Sequence, residues 1–216
     1  MQIVRLTEPD HRWRDDATRI LIDALAHVPS AWKSSVEAEG EVESFVRDPD
    51  RLALVAMEDQ EVRGWIGAIR HSSFAWELHP LVVDPKHQRQ GWGTRLVEAL
   101  EEAAAAEGVL TIWLGTDDDF GGTNLFGEDL YPDVLARLLE LKATRGHPYV
   151  FYERLGYVVT GVFPDVDGPG RHDILMAKRI SNRGHGDRRN SGGGSGASRR
   201  SAASPDRSDR NREPKG

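Results

Sequence analysis

The sequence contains no cysteine, which excludes disulfides and thiolate metal ligands. No apolar run approaches the roughly 20 residues that span a bilayer. The opening residues, MQIVRLTEPD, lack the apolar centre of a signal peptide. Internal repeats are absent as well. Together these gaps exclude a disulfide scaffold, a membrane span and a repeat array. They describe a soluble protein, expected in the cytoplasm and without a metal.

Basic residues are the scarcer charged class, 28 Lys and Arg against 35 Asp and Glu, for a formal net charge of -7. The deficit is uneven. From Ser181 onward there are nine basic and four acidic residues, a net of +5, which leaves 19 and 31 in residues 1–180, a net of -12. The last segment has no aromatic residue and only three alanines of apolar character. Such a composition cannot offset chain entropy, so 181–216 reads as a disordered Gly/Ser/Arg-rich tail with no defined partner. Residues 1–180 suit one domain, long enough to bury roughly 70% of its unfolded surface. A domain this acidic repels polyanions and attracts cations, which argues against a nucleic-acid partner.

Periodicity organises that domain. Ile3–Leu6 reads as a short strand. Ala17, Ile20, Leu21, Ala24, Leu25 and Val28 share one helical stripe ended by Pro29. Ser34 and Glu37 have capping-box spacing for a second helix reaching Arg47. Leu52–Met57 and Val62–Arg70 read as a hairpin about Asp59-Gln60-Glu61, and Ala75–Val83 as a long strand. A helix follows from Gly91 to Glu107 with Leu96, Val97, Leu100, Ala103 and Ala104 inward, ended by Gly108. Thr111–Thr116 is a strand and Asp117–Thr123 a polar loop. Pro132–Lys142 reads as a helix with Val134, Leu135, Leu138 and Leu139 inward. A further helix opens at Pro148 and closes at Gly156. Tyr157–Phe163 and Asp173–Ile180 are the last strands. The expectation is a mixed α/β (α+β) domain with one central sheet.

One loop carries cofactor chemistry. Leu81-Val82-Val83 ends a strand at Asp84-Pro85, and Gln88-Arg89-Gln90-Gly91-Trp92-Gly93-Thr94 opens the long helix. Glycines there let main-chain N–H groups face one point, the helix N-terminus adds its positive end, and Arg89 adds a cation, all suited to a pyrophosphate. The segment lacks the Lys-Ser/Thr of a nucleotide P-loop, and Leu96 breaks a G-x-G-x-x-G pattern.

With Gln88, Gly91 and Gly93 following Val83-Asp84-Pro85, the loop resembles the Q/R-x-x-G-x-G/A signature of the GNAT acetyltransferase superfamily. The element order over 1–180 resembles the GNAT fold too, a mostly antiparallel sheet with splayed strands flanked by helices. The resemblance implies acetyl-CoA as cosubstrate, with Leu81, Val82 and Val83 along the pantetheine and Gln88 through Thr94 at the phosphates. More of the chain is similar to aminoglycoside 6′-N-acetyltransferases: Glu77-Leu78-His79-Pro80-Leu81, Leu114-Gly115-Thr116-Asp117-Asp118, His147-Pro148 through Gly156-Tyr157, and Gly161 through Gly168 with His172-Asp173-Ile174. Asp165 and Asp167 stand where that pattern has Asn, and His172 where it has Pro.

In an alternating strand Glu77, His79 and Leu81 share one face. Pro80 cannot donate a ladder hydrogen bond, so the strand is expected to leave its neighbour there and open a cleft. The expected transfer is direct, in a ternary complex, onto the 6′-amine of an aminoglycoside. Glu77 is the expected base, with His79 assisting, the Leu81 N–H stabilising the oxyanion and Tyr152 protonating the thiolate. Asp117, Asp118, Asp119, Asp165, Asp167 and Asp173, with Glu77 and His79, are candidates for holding the polycation. The resemblance also implies a homodimer. Two alternatives stay open: an enzyme for another amine, such as a polyamine or a protein N-terminus, and a non-catalytic domain that only binds acetyl-CoA or a ligand.

Overall fold

The computed structural model describes residues 2–7, 11–29, 31–32 and 34–180; the tail assigned to 181–216 lies outside them. The chain runs β1 (Gln2–Arg5), α1 (His11–Leu25), α2 (Ser35–Arg47), β2 (Arg51–Glu58), β3 (Glu61–Arg70), β4 (Ala75–Val83), a 3-10 turn (Pro85–His87), α3 (Trp92–Ala106), β5 (Thr111–Asp117), α4 (Val134–Leu139), α5 (Tyr149–Arg154), β6 (Val158–Phe163) and β7 (Asp173–Arg179). One seven-stranded sheet has the order β1-β2-β3-β4-β5-β7-β6. Its pairs are antiparallel except β4 with β5.

Both faces of the central strands are covered, and β2 shows why it reads as a continuous apolar run. Leu52, Leu54 and Ala56 enter the core on the α3 side, whereas Ala53, Val55 and Met57 enter the core under α1 and α2. Helix α1 buries Ala17, Ile20, Leu21 and Ala24 in that second core; full burial of Ile20 or Leu21 contributes about 1.5–3 kcal/mol each. The capping box at α2 forms as spaced: Glu37 N–H donates to Ser34 Oγ at 3.2 Å and Ser34 N–H to Glu37 Oε2 at 3.1 Å. The β2–β3 turn places both Asp59 and Gln60 at positive φ, as a two-residue hairpin turn requires. Gly156, at φ 88, follows α5, where Tyr157 N–H reaches Tyr152 O at 3.1 Å and Gly156 N–H reaches Glu153 O at 2.9 Å, the paired bonds of a Schellman end.

Two expectations need correction. The helix read over Pro132–Lys142 is only Val134–Leu139, and Leu135 and Leu139 face out at 74% and 89% exposure. A helix this short lays one edge, Val134 and Leu138, on the core, and the intervening leucines point away. Alternation also fails along β4. Trp76 and Leu78 enter the α3-side core, yet Val82, of the same parity, enters the α1/α2 core. Ile66 pairs with Leu81 and Ala68 with Leu78, so Gly67 stands opposite two residues, His79 and Pro80. That bulge flips every side chain beyond it. Glu77 and Leu81 therefore lie on opposite faces: Leu81 packs toward the α3-side core, and His79 turns to α2.

Candidate active site

The site begins where two strands part. β4 and β5 pair in parallel only at Ala75–Thr111, Trp76–Ile112 and Glu77–Trp113. Past Glu77 the strand continues beside β3 alone, while β5 continues beside β7. The Asp84 N–H donates to Arg63 O on β3 at 2.9 Å. Main-chain N–H groups alternate along an extended strand, so the Val82 N–H also points to β3, and those of Leu81 and Val83 point to the edge that β5 vacates. Of the three residues assigned to the pantetheine, Val82 is thus turned away. Its side chain is in the core at 2% exposure and its register partner is Trp65.

The loop after β4 is braced from within. The Gln88 amide donates to Val83 O at 3.2 Å and the Gln90 amide to Lys86 O at 3.3 Å. Both glutamines expected at the phosphates therefore have side chains that hold the loop's own carbonyls. Arg89 and Gly91 sit at φ 62 and 88, and nothing lies within 4 Å of a Cβ placed on Gly91. The first helical bond of α3 runs from Arg95 N–H to Gly91 O, so the N–H groups of Trp92, Gly93 and Thr94 precede it without intrahelical acceptors. Those donors, the helix dipole and exposed Arg89 suit a pyrophosphate. The Trp92 ring is buried in the core and anchors this end of α3.

A cavity of about 1100 Å³ adjoins the parted strands. One wall is the α1–α2 segment and the start of α2, including Trp32, Glu37 and Glu41; the facing wall is β5 and its loop, including Asp117 and Asp119; Tyr152, His147 and Asp167 complete it. His27 and Phe120 stack at 5.4 Å, joining the two walls. Arg145 is the single Lys or Arg among the described lining residues.

The expected catalytic residues are drawn together unequally. His79 lines the cavity, its ring 5.7 Å from Trp32 and its Nε2 3.7 Å from Glu41. Burial lowers its pKa, with Glu41 and Glu77 opposing and Arg51 adding to the fall. Leu81 and Tyr152 line the cavity as well. Tyr152 is buried, with rings of Phe151 and Tyr157 at 5.0 and 5.7 Å, and desolvation raises its pKa. Glu77 is not among the lining residues, and its carboxylate is bound by His71 Nε2 at 2.7 Å.

The acidic candidates separate into two groups. Asp118, 2% exposed, accepts from Gly122 N–H, Thr123 N–H and Thr123 Oγ1, so it organises its loop. Asp119 is paired with Arg171. Asp165 lies outside the cavity lining and accepts from Gly170 N–H at 2.7 Å. His172, at the position of the pattern's Pro, accepts the Asp165 N–H at 3.1 Å. Asp117, Asp167 and Asp173 instead converge. Asp173 is opposite Asp117 in register, and its carboxylate occupies the space over Gly115, where a Cβ would meet Oδ2 at 2.2 Å. Burial, the Asp173 charge and a hydrogen bond with Asp167 push Asp117 up to about 7. Burial, then Asp167 and Glu77, push Asp173 up to about 6 against a backbone hydrogen bond from Thr116.

Sequence reasoning missed Trp32, Glu41 and Arg145. For Glu41 a signal existed: it follows Glu37 by one helical turn, on the same side of α2.

The profile of the Acetyltransferase (GNAT) family matches residues 11–126. An aminoglycoside 6′-N-acetyltransferase solved with coenzyme A is 38% identical, with 85% of this chain and 99% of that one covered at a TM-score of 0.76. The aminoglycoside 6′-N-acetyltransferase from Enterococcus faecium is 39% identical, with the same coverage and a TM-score of 0.74. An N-acetyltransferase in the lysA 3′ region of Bacillus methanolicus is 24% identical over 91 residues, 42% of this chain and 75% of that protein. The splayed β4 and β5, the loop–α3 junction and these matches have one conclusion: the chain belongs to the GNAT family of acetyltransferases.

Proposed function

We propose that the protein transfers acetyl from acetyl-CoA to the 6′-amine of aminoglycosides. The observation that carries this reading is the parting of β4 and β5 after Glu77. It joins a carboxylate-lined cavity to the free edge of Leu81–Val83. The aminoglycoside acetyltransferases reported above support the acceptor class. The acids support it physically, since Glu41, Asp117 and Asp167 on different elements can meet several ammonium groups at once.

Acetyl-CoA, when bound, supplies the activated acetyl carbonyl. Leu81 and Val83 offer main-chain groups along the open edge, and the N-terminus of α3 with Arg89 offers donors and charge for phosphates. The Leu81 N–H donates to the oxyanion. Glu77 takes the amine proton through an intervening water, since its carboxylate is outside the cavity lining and against His71. Tyr152, whose proton is held tightly by burial, returns one to the leaving sulfur. Residues 1–180 carry all of these groups.

The test is CoA release with kanamycin, a 6′-hydroxy congener and spermidine. Turnover of kanamycin, an inert 6′-hydroxy congener and product acetylated at the 6′-nitrogen are expected. Acetylation of the congener would show the regiochemistry to be wrong, and turnover of spermidine alone would move the acceptor class. Glu77→Gln is expected to lower kcat rather than only raise KM.

A further inference from the structure

His79 has an unusual position for an ionisable group. It stands in an acidic cavity, yet a carboxylate beside it is already engaged. Glu41 Oε1 accepts from Arg51 Nη1 at 3.0 Å, and the same oxygen is 3.7 Å from His79 Nε2. The second distance is an electrostatic contact, too long for a hydrogen bond.

Arg51 is pinned to reach that oxygen. Its Nη1 also donates to Ser44 Oγ at 3.0 Å, its Nε lies 3.8 Å from Asp48, and its guanidinium covers the Phe45 ring at 4.9 Å. Three elements therefore meet at one carboxylate: α2 supplies Glu41, β2 supplies Arg51 and the bulge of β4 supplies His79. Among the described residues, the other charged group acting on His79 is Glu77 on its own strand, already bound to His71. Trp32 packs on the ring and adds no charge, and β3 presents Gly67.

We propose that Glu41 and Arg51 are positioning residues that set the charge of the His79 ring in opposite senses, Glu41 favouring the imidazolium and Arg51 the neutral imidazole that burial already favours. Glu41 alone would draw a proton onto His79. Arg51, sharing the same oxygen, opposes that pull. A neutral ring can assist Glu77 by accepting a hydrogen bond, and it does not repel the cation that Asp117 and Asp167 attract. The use of that neutral ring in acetyl transfer rests on the function proposed above; the charge-setting itself does not.

The prediction has a sign that mere support of the fold would not produce. Removing either partner breaks the same ion pair, but the two changes act on His79 in opposite directions. The measurement is the titration midpoint of the His79 ring, followed by NMR of the full-length protein without substrate and assigned with His79→Gln. Glu41→Gln is expected to lower the midpoint and Arg51→Gln to raise it, each by about one unit, tenfold in proton affinity. Arg51→Lys, which keeps the charge, is expected to stay near the wild-type midpoint. Shifts of the same sign in both Gln variants, or no shift in either, overturn the proposal. If Arg51→Gln fails to fold, Glu41→Gln still decides: a midpoint that is unchanged or raised is fatal. If no amine releases CoA, the function proposed above fails, while the His79 midpoints still show whether Glu41 and Arg51 set the charge of the ring.

Discussion

Replacing Gly67 with alanine tests the bulge on which the site depends. A Cβ there would lie 2.2 Å from the His79 carbonyl oxygen and 2.5 and 2.7 Å from two Phe45 ring carbons. Comfortable carbon contacts fall at about 3.5–4.0 Å, so the overlap is on the order of 1 Å on two sides. Neither neighbour yields easily. His79 O belongs to the bulge itself. Phe45 is 2% exposed, edge-on to Trp65 at 5.6 Å and covered by Arg51. Overpacking of this kind costs about 1–3 kcal/mol, and at about 2–4 °C per kcal/mol for a domain of this size the Tm should fall by roughly 2–12 °C. Relief of the clash moves the backbone between His79 and Leu81, and a misplacement of about 1 Å costs on the order of 100-fold in rate. The assay pairs melting by circular dichroism with CoA release. Gly40→Ala is the control: Gly40 lies within α2 with nothing within 4 Å of an added Cβ, and alanine there should stabilise by about 0.5–1 kcal/mol. If Gly67→Ala melts and turns over like the wild type, the bulge does not depend on this close approach.

Tyr152→Phe keeps the packed ring and removes only the hydroxyl; kcat should drop about 100-fold, as for loss of a general acid, with little change in Tm. Full turnover with an unchanged pH profile would remove Tyr152 from the chemistry. Gly91→Ala meets no atoms but strains a residue at φ 88, at about 1–2 kcal/mol; KM for acetyl-CoA should rise about 5–30-fold, and an unchanged KM would separate Gly91 from cofactor binding. Asp117 titrates at about 7 in the fold against an ordinary 3.8, so the folded state holds the extra proton between those values. Its contribution to stability is full below about pH 4 and is lost as pH rises through 7. Asp117→Asn should therefore raise Tm relative to wild type at pH 8 and lose that advantage toward pH 4; the opposite trend would mean that Asp117 is ionised throughout. A chain ending at Ile180 should retain turnover in the CoA-release assay, because every cavity and loop residue described precedes it; loss of activity would assign the tail a role.

Local chemistry made much of this protein legible. The capping box at Ser34 and Glu37, the two-residue hairpin turn, the glycine end of α5 and the strand–loop–helix at Val83–Thr94 each depend on a few neighbouring residues, and each formed where its residues stand. Family membership was readable for the same reason, because its signature is contiguous. The short α4 was misread because its inward and outward leucines alternate over too few turns for periodicity to choose a face.

The site itself was only half legible. Its residue types were written in order, but their facing was not. One extra residue opposite Gly67 reversed β4, placing Glu77 with His79 and sending Leu81 to the other side. No rule of alternation reports a bulge, which is defined only by the pairing of β4 with β3. The six aspartates looked equivalent along the chain. Tertiary contacts gave Asp118 to a loop, Asp119 to Arg171 and Asp165 to a turn, and brought Asp117, Asp167 and Asp173 together. Composition alone determined that residues 1–180 carry a net negative charge; only the pairing of distant strands and helices decided which carboxylates are engaged in their own loops and which line the cavity, because charge adds along a chain but hydrogen-bond partners are assigned in space.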